Sequence, residues 1–125
     1  MVTATISAQK IEESAVASMM LDEHEPFTRI EGGPLGTRGR KLWTSTDGRV
    51  ETGVWECDAG RFHADFGASG EIFHVVSGEV VCTPDDGGET FTLRAGDMAV
   101  FSRGWTGEWD VRSPLRKVFT SWEIW

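Results

Sequence analysis

One acidic residue stands near the head of an apolar run, in "ASGEIFHVVSGEVV" at residues 68–81. A buried, ionised carboxylate is costly unless a cation or a hydrogen-bond donor lies beside it. The candidate partner of Glu71 is Lys117, in the run "PLRKVF". A carboxylate and an amine held together in an apolar site can exchange protons, so this pair would support acid–base chemistry.

The orientation of Lys117 decides whether that pair forms. Successive side chains on a strand point to opposite faces. This strand therefore presents two alternating sets, Lys117, Phe119 and Ser121 against Val118, Thr120 and Trp122. The sequence leaves open which set faces inward, and an outward Lys117 would be an ordinary surface lysine.

Length and composition limit the possible classes of protein. The chain has 125 residues, 39% of them hydrophobic, which suits one domain with one core. Its net charge of −8 makes nucleic acid and anionic membranes poor partners. No apolar run is long enough for a membrane span, and the first residues lack a signal-peptide pattern, so we expect a cytoplasmic protein. Cys57 and Cys82 are expected to be free thiols.

Short strand-like runs separated by glycine-rich turns occupy the chain from residue 41 onward. "DGR" separates two of these runs and "PDDGG" another two, a pattern typical of an all-β sandwich or barrel. Upstream, residues 9–21 are the one plausible helix, and residues 32–40, with four glycines and a proline, predict a loop. We therefore predict an N-terminal arm and loop over 1–40 and a barrel over 41–125.

Two sets of residues resemble the two motifs of the cupin family: Gly60, Glu71 and Gly78, then Gly96-Asp97 and Ser102-Arg103-Gly104. The resemblance covers roughly residues 41–123. It points to the small cupins grouped with the ethanolamine-utilisation accessory cupin and the ureidoglycine aminohydrolase cupin domain. The resemblance implies a jelly-roll β-barrel with a short N-terminal helix or arm. It also implies a homodimer. Because an exposed C-terminal tryptophan is unfavourable, we expect Trp125 to pack on another strand or on a second subunit.

The histidine ligands of the cupin motifs are absent. In the second motif the histidine position is Gly107, which has no side chain to coordinate a metal. Asp65 is the one replacement in the first motif that could bind a cation, and Glu71 with Asp65 would form a weak site for a hard cation at best. His63 and His74 are expected to be ordinary histidines. We therefore predict no metal and no cofactor.

An aromatic pocket around Glu71 is expected in place of the metal. Given the orientation implied by the resemblance, alternation along the strands brings five rings toward Glu71, namely Trp55, Phe66, Phe73, Trp105 and Trp109. Aromatic walls with a few polar groups are typical of small-molecule sites. The same rings could instead fill the interior of a small barrel, and the sequence does not separate these alternatives.

Three functions remain open. The first is a metal-independent cupin that binds an unidentified small molecule, with weak acid–base chemistry by Glu71 aided by Asp65 or Lys117. The second is a metal-dependent enzyme resembling the aminohydrolase relatives and acting on a small ureido or amino compound. The third is a non-catalytic accessory or structural dimer with a filled barrel. We expect the first.

Overall fold

The computed structural model of the chain describes residues 8–123, so the predicted packing of Trp125 lies outside the described residues. Strands dominate this part of the chain, and the one helix within it is too short to span a membrane. The elements are α1 (Glu13–Ala17), β1 (Asp22–Thr28), β2 (Pro34–Thr44), β3 (Val50–Cys57), β4 (Gly60–Asp65), β5 (Gly70–Pro84), β6 (Phe91–Arg94), β7 (Met98–Phe101) and β8 (Thr106–Trp122).

All eight strands pair antiparallel, in the order β1-β2-β3-β8-β5-β6, with β4 added to β8 and β7 added to β5. The strand β8 pairs with β3 and β4 on one side and with β5 on the other. This arrangement closes the sheet into the predicted jelly roll, and the all-β prediction is confirmed.

The core lies inside this roll and consists of side chains from alternate positions of the strands. Along β8 every inward position is an odd-numbered residue, and these include Trp109, Val111 and Leu115, each no more than 2% exposed. Facing them are Phe73 and Val75 of β5. The period of two in the burial pattern is what strands with one covered face require.

The N-terminal helix is shorter than the predicted helix over residues 9–21. No side chain caps its N-terminus at Glu12, so its first turn lacks a stabilising hydrogen bond. A helix of five residues also has little intrinsic stability. It is docked by Val16, which is 1% exposed. Arg116 Nη1 donates hydrogen bonds to the carbonyl oxygens of Val16 (2.8 Å) and Met19 (3.0 Å). These contacts fix the segment on the outer face of the sheet.

The predicted loop over residues 32–40 is wrong beyond Gly33, because β2 begins at Pro34. Gly32 and Gly33 do form a turn with positive φ. In contrast, Gly39 lies in an extended strand, where an added Cβ would come within 2.9 Å of the Val54 carbonyl oxygen. Here glycine permits close strand packing rather than a turn. The division at residue 40 stays a prediction, although residues 22–44 already form two strands of the common sheet.

Two strands continue through positions at which the sequence indicates that a strand ends. The sequence predicts two strands on either side of Ser77-Gly78, but β5 runs through as one strand of 15 residues with shifts of register at this point. Gly78 has a φ of 92°, so the glycine marks a bulge instead of a hairpin. Likewise β8 is continuous for 17 residues through Pro114. The long strands β5 and β8 thus run side by side across the whole molecule.

Candidate functional site

A partly open cavity of about 480 Å³ lies within the strands of the roll. This volume is within the range of small-molecule sites. Its apolar wall consists mainly of six rings, Phe27, Trp55, Phe62, Phe66, Trp109 and Phe119. Its polar residues are Glu51, His63, Asp65, Ser69, Glu71, Lys117 and Ser121.

Glu71 reaches the cavity from β5. It pairs in register with Phe101 of β7 and with Ser121 of β8. Alternation from Glu71 puts Phe73 on the same face, and Phe73 is 1% exposed. The Glu71 side chain is itself only 14% exposed, so its carboxylate needs a partner.

Lys117 provides that partner, and the orientation left open by the sequence is resolved by the pairing of β8. Lys117 lies between Trp55 of β3 and Val75 of β5, and its side chain is 6% exposed. Its Nζ donates a hydrogen bond to Glu71 Oε1 at 2.5 Å. The inward set is therefore Lys117, Phe119 and Ser121, and all three line the cavity.

Four aromatic rings surround the Lys117 ammonium. Nζ lies 4.4 Å from the ring centroid of Phe73, 4.8 Å from Trp55, 5.1 Å from Trp109 and 6.0 Å from Phe119. These separations are within the range of cation–π attraction, which is strongest for desolvated cations. The rings and Glu71 together offset the cost of removing this charge from water.

Asp65 and His63 are the exposed positions of β4 and lie at the rim of the cavity. Asp65 is exposed, and its Oδ1 accepts a hydrogen bond from the Gly67 amide at 2.7 Å, which closes a turn at the cavity rim. His63 Nε2 is hydrogen-bonded to Asp85 Oδ2 at 2.7 Å, and this contact lowers the pKa of Asp85. The structure therefore brings Glu71 and Lys117 together, and leaves Asp65 apart from them.

Comparison with known families adds a decisive observation to this fold and cavity. Residues 44–119, more than half of the chain, match the model of the EutQ-like cupin domain. The chain belongs to the EutQ-like cupin family.

Solved structures share the fold of this cupin at low sequence identity. One is a protein of unknown function from Pseudomonas syringae pv. tomato (TM-score 0.73, 19% identity), with 84% of this chain and 45% of that one covered. This cupin thus spans less than half of that relative. Another is the EutQ protein of Clostridium difficile (0.60, 18%, with 71% and 69% covered). A third is the Cnp3 cupin domain of Schizosaccharomyces pombe (0.59, 14%, with 70% and 61% covered).

Such identities establish the fold and leave the activity open. A comparison with curated proteins found no match.

The residues present in this cupin do not fit a transition metal. Glu71 is already paired with Lys117, whose ammonium would repel a cation placed beside the carboxylate. Asp65 is engaged in its turn, and within residues 8–123 no group of three or more His, Cys, Asp or Glu side chains could hold a metal ion. A transition-metal site needs several such ligands in one small volume.

Packing explains why the histidine position of the second motif is glycine in this cupin. A Cβ built on Gly107 would meet the backbone carbonyl oxygen of Thr83 and would come within 2.5 Å of the Trp105 ring. That ring packs edge-on against Phe101, with centroids 4.8 Å apart, and also contacts Phe66 at 6.1 Å. The Thr83 backbone and the Trp105 ring therefore occupy the space that a side chain at residue 107 would need.

Three of the five predicted aromatic residues, Trp55, Phe66 and Trp109, line the cavity. Phe73 and Trp105 differ from the prediction, because they pack in the layer behind the wall, where Phe73 stacks on Phe101 with centroids 5.5 Å apart. Sequence reasoning missed eight lining residues or left their orientation undecided: Phe27, Glu51, Phe62, His63, Ala64, Ser69, Phe119 and Ser121. For Phe119 and Ser121 the signal was their shared parity with Lys117.

Two polar features of the interior complete the site. Trp109 is 1% exposed, and its Nε1 is buried without a hydrogen-bond partner among the described residues. Such a buried, unpaired N–H lowers the stability of the fold by roughly 1–3 kcal/mol.

Cys57 and Cys82 are free and buried, and burial raises the pKa of each thiol to about 12. The thiols are therefore poor nucleophiles at neutral pH.

Proposed function

We propose that this cupin binds a small organic molecule in its aromatic cavity, without a metal, and uses the Glu71–Lys117 pair as the polar anchor. The observation that carries the proposal is this buried ion pair, which faces a cavity of about 480 Å³. A site of this kind fixes the orientation of a ligand through a few polar groups and gains affinity from apolar walls.

The polar groups suit a ligand that both donates and accepts hydrogen bonds. Lys117 has donors besides the one given to Glu71, and Glu71 has a second carboxylate oxygen. The hydroxyl groups of Ser69 and Ser121 can act in either role.

Glu71 is the proposed proton carrier. Its carboxylate is in direct contact with an amine, so a proton can pass between the two groups without a change in net charge. Asp65 is not part of this chemistry in our proposal, because it is exposed and holds a turn. The cavity volume also favours a binding protein over a barrel whose interior is filled by side chains.

A thermal-shift screen of small amines, carboxylates, alcohols and carbonyl compounds tests this proposal. Compounds that raise the melting temperature of the native protein should lose most of that effect in Glu71→Gln. The matched control is Glu79→Gln, which alters a carboxylate outside the cavity lining whose partner is Arg94. A screen without any stabilising compound, or shifts that are equal in both variants, would contradict the proposal.

Elemental analysis of protein purified without a metal-affinity step tests metal independence separately. We expect substoichiometric zinc, iron, nickel and manganese. A stoichiometric transition metal that disappears in Glu71→Gln would instead support the metal-dependent enzyme.

A further inference from the structure

The three lysines of the chain lie in different environments. The side chains of Lys10 and Lys41 are 83% and 67% exposed, and each forms an ion pair with a nearby glutamate. The Lys117 side chain is 6% exposed and lines the cavity. A lysine becomes a nucleophile when desolvation favours its neutral amine and an adjacent base removes its proton. Lys117 is buried and has such a base in direct contact, since Glu71 Oε1 accepts a hydrogen bond from its Nζ.

We propose that Lys117 captures a small aldehyde or ketone as a covalent iminium, a protonated Schiff base, while Glu71 carries the protons. The proposal rests on the proposed function, because the carbonyl compound must first enter the cavity. It goes further in naming the reacting atom, Lys117 Nζ, and the chemical class of the ligand.

The starting pair can release the nucleophile without a base from solvent. Glu71 Oε1 already accepts a hydrogen bond from Lys117 Nζ at 2.5 Å. Transfer of that proton turns a carboxylate and an ammonium into a carboxylic acid and an amine, and net charge is unchanged.

The reaction balances within this pair. The amine attacks the carbonyl carbon, a C–N bond forms, the π bond of the carbonyl breaks, and the oxygen takes the proton from Glu71. The new nitrogen returns one proton to Glu71, which gives the carbinolamine. Glu71 then protonates the hydroxyl group, the C–O bond breaks, water leaves, and the nitrogen lone pair completes the iminium. One ammonium and one carbonyl compound become one iminium and one water.

The aromatic surroundings suit the product as well as the starting state. The iminium nitrogen carries the positive charge that the ammonium carried. The rings of Phe73, Trp55 and Trp109, with centroids 4.4 to 5.1 Å from Nζ, would face it in the same way. The Glu71 carboxylate, restored at the last step, remains its counter-ion.

The cavity indicates an uncharged carbonyl compound. Besides Glu71, acidic side chains at Glu51 and Asp65 border it, and Lys117 is the only lysine or arginine among the described residues that line it. A carbonyl compound that carries its own carboxylate would meet this excess of negative charge. An aldehyde or ketone with an apolar or aromatic body would fit the rings.

Reductive trapping of the native protein tests the proposal. Benzaldehyde and cyanoborohydride at neutral pH should attach a benzyl group to Lys117 Nζ much faster than to Lys10 or Lys41, as measured by peptide mapping. The two exposed lysines act as internal controls in the same sample. Glu71→Gln should slow labelling of Lys117 by about 100-fold, the lower end of what a positioned acid–base group contributes, and Lys117→Arg should abolish that label alone.

Labelling confined to Lys10 and Lys41, or labelling of Lys117 at their rate, would overturn the proposal, and neither result depends on a variant that folds. Benzyl alcohol separates this failure from a failure of the proposed function. If the alcohol shifts NMR signals of the cavity residues while benzaldehyde leaves Lys117 unlabelled, the iminium is wrong and the binding site stands. If the alcohol causes no shift and Lys117 stays unlabelled, both proposals lose their support.

Discussion

The coupling between Glu71 and Lys117 gives a prediction whose size follows from their burial. Lys117→Met leaves the Glu71 carboxylate without its cation in a site where that side chain is 14% exposed. Loss of one partner from a buried ion pair costs about 3–5 kcal/mol. Water in the cavity can reach the carboxylate, so we expect about 3 kcal/mol, near the lower end. Glu71→Leu leaves the Lys117 ammonium, whose side chain is 6% exposed, without its counter-ion and should lower the free energy of unfolding by about 4 kcal/mol.

The double variant Glu71→Leu/Lys117→Met removes both charges. Its free energy of unfolding should lie within about 1 kcal/mol of that of the native protein, because apolar replacements of a buried pair are often neutral. Urea denaturation of all four proteins gives the coupling energy directly. The control cycle is Lys41→Met with Glu51→Leu, which breaks a more exposed Lys–Glu pair with an N···O distance of 3.1 Å and should show a coupling below about 1 kcal/mol. Additive losses in the Glu71–Lys117 cycle would refute the reasoning.

Four further outcomes are expected. Cys57 and Cys82 should react with Ellman's reagent at pH 8 only after unfolding, because burial raises their pKa to about 12, and immediate reaction of native protein would contradict this. Unfolded thiols ionise near 9.0, so stability should fall as pH rises from there toward 12, by at most about 1.4 kcal/mol per pH unit per thiol in urea titrations. Gly107→Ala should destabilise the fold by about 1–3 kcal/mol in the same assay, because its Cβ meets the Thr83 carbonyl oxygen and the Trp105 ring, and an unchanged stability would mean that this space is free. Light scattering should give twice 13.8 kDa for the expected homodimer, and Val100→Glu, which alters an apolar side chain 63% exposed on β7, should yield the monomer if that face forms the interface. A monomeric native protein would rule out the dimer.

The fold could be predicted from sequence because its signals are local. Alternating apolar residues and glycine-rich turns indicate strands and hairpins without knowledge of distant contacts. The hairpin around Asp47-Gly48 and the pairing of β5 with β6 illustrate this. The first part of β2, before residue 41, escaped detection because Gly36 and Gly39 have the composition of a loop, and only the neighbouring strand explains why they are glycines.

The site was less accessible to sequence reasoning, since its geometry depends on register. The strand that contains Lys117 does not by itself show whether this side chain faces inward or outward, because either face of "RKVFTSW" could be covered. It becomes fixed only when β8 pairs with Trp55 of β3 and Val75 of β5. Phe27 comes from a segment assigned to the arm, so nothing local connected it with Glu71. Contacts between residues so far apart in the chain produce no periodic pattern in the sequence.

The continuity of β8 has a consequence for how this chain can change over time. Trp109 and Lys117 face the interior from the same strand, and the buried positions that join them, Trp109, Val111, Leu115 and Lys117, are all odd-numbered. The strand β5 pairs with β8 on one side, while β4 pairs with it up to Val111 and β3 from Leu115 on the other. A one-residue insertion within either of these two paired segments would turn the amine away from Glu71. The turn at residues 85–90 bears no such constraint. We therefore expect insertions and deletions among related sequences to be common in that turn and rare in the paired segments of β8.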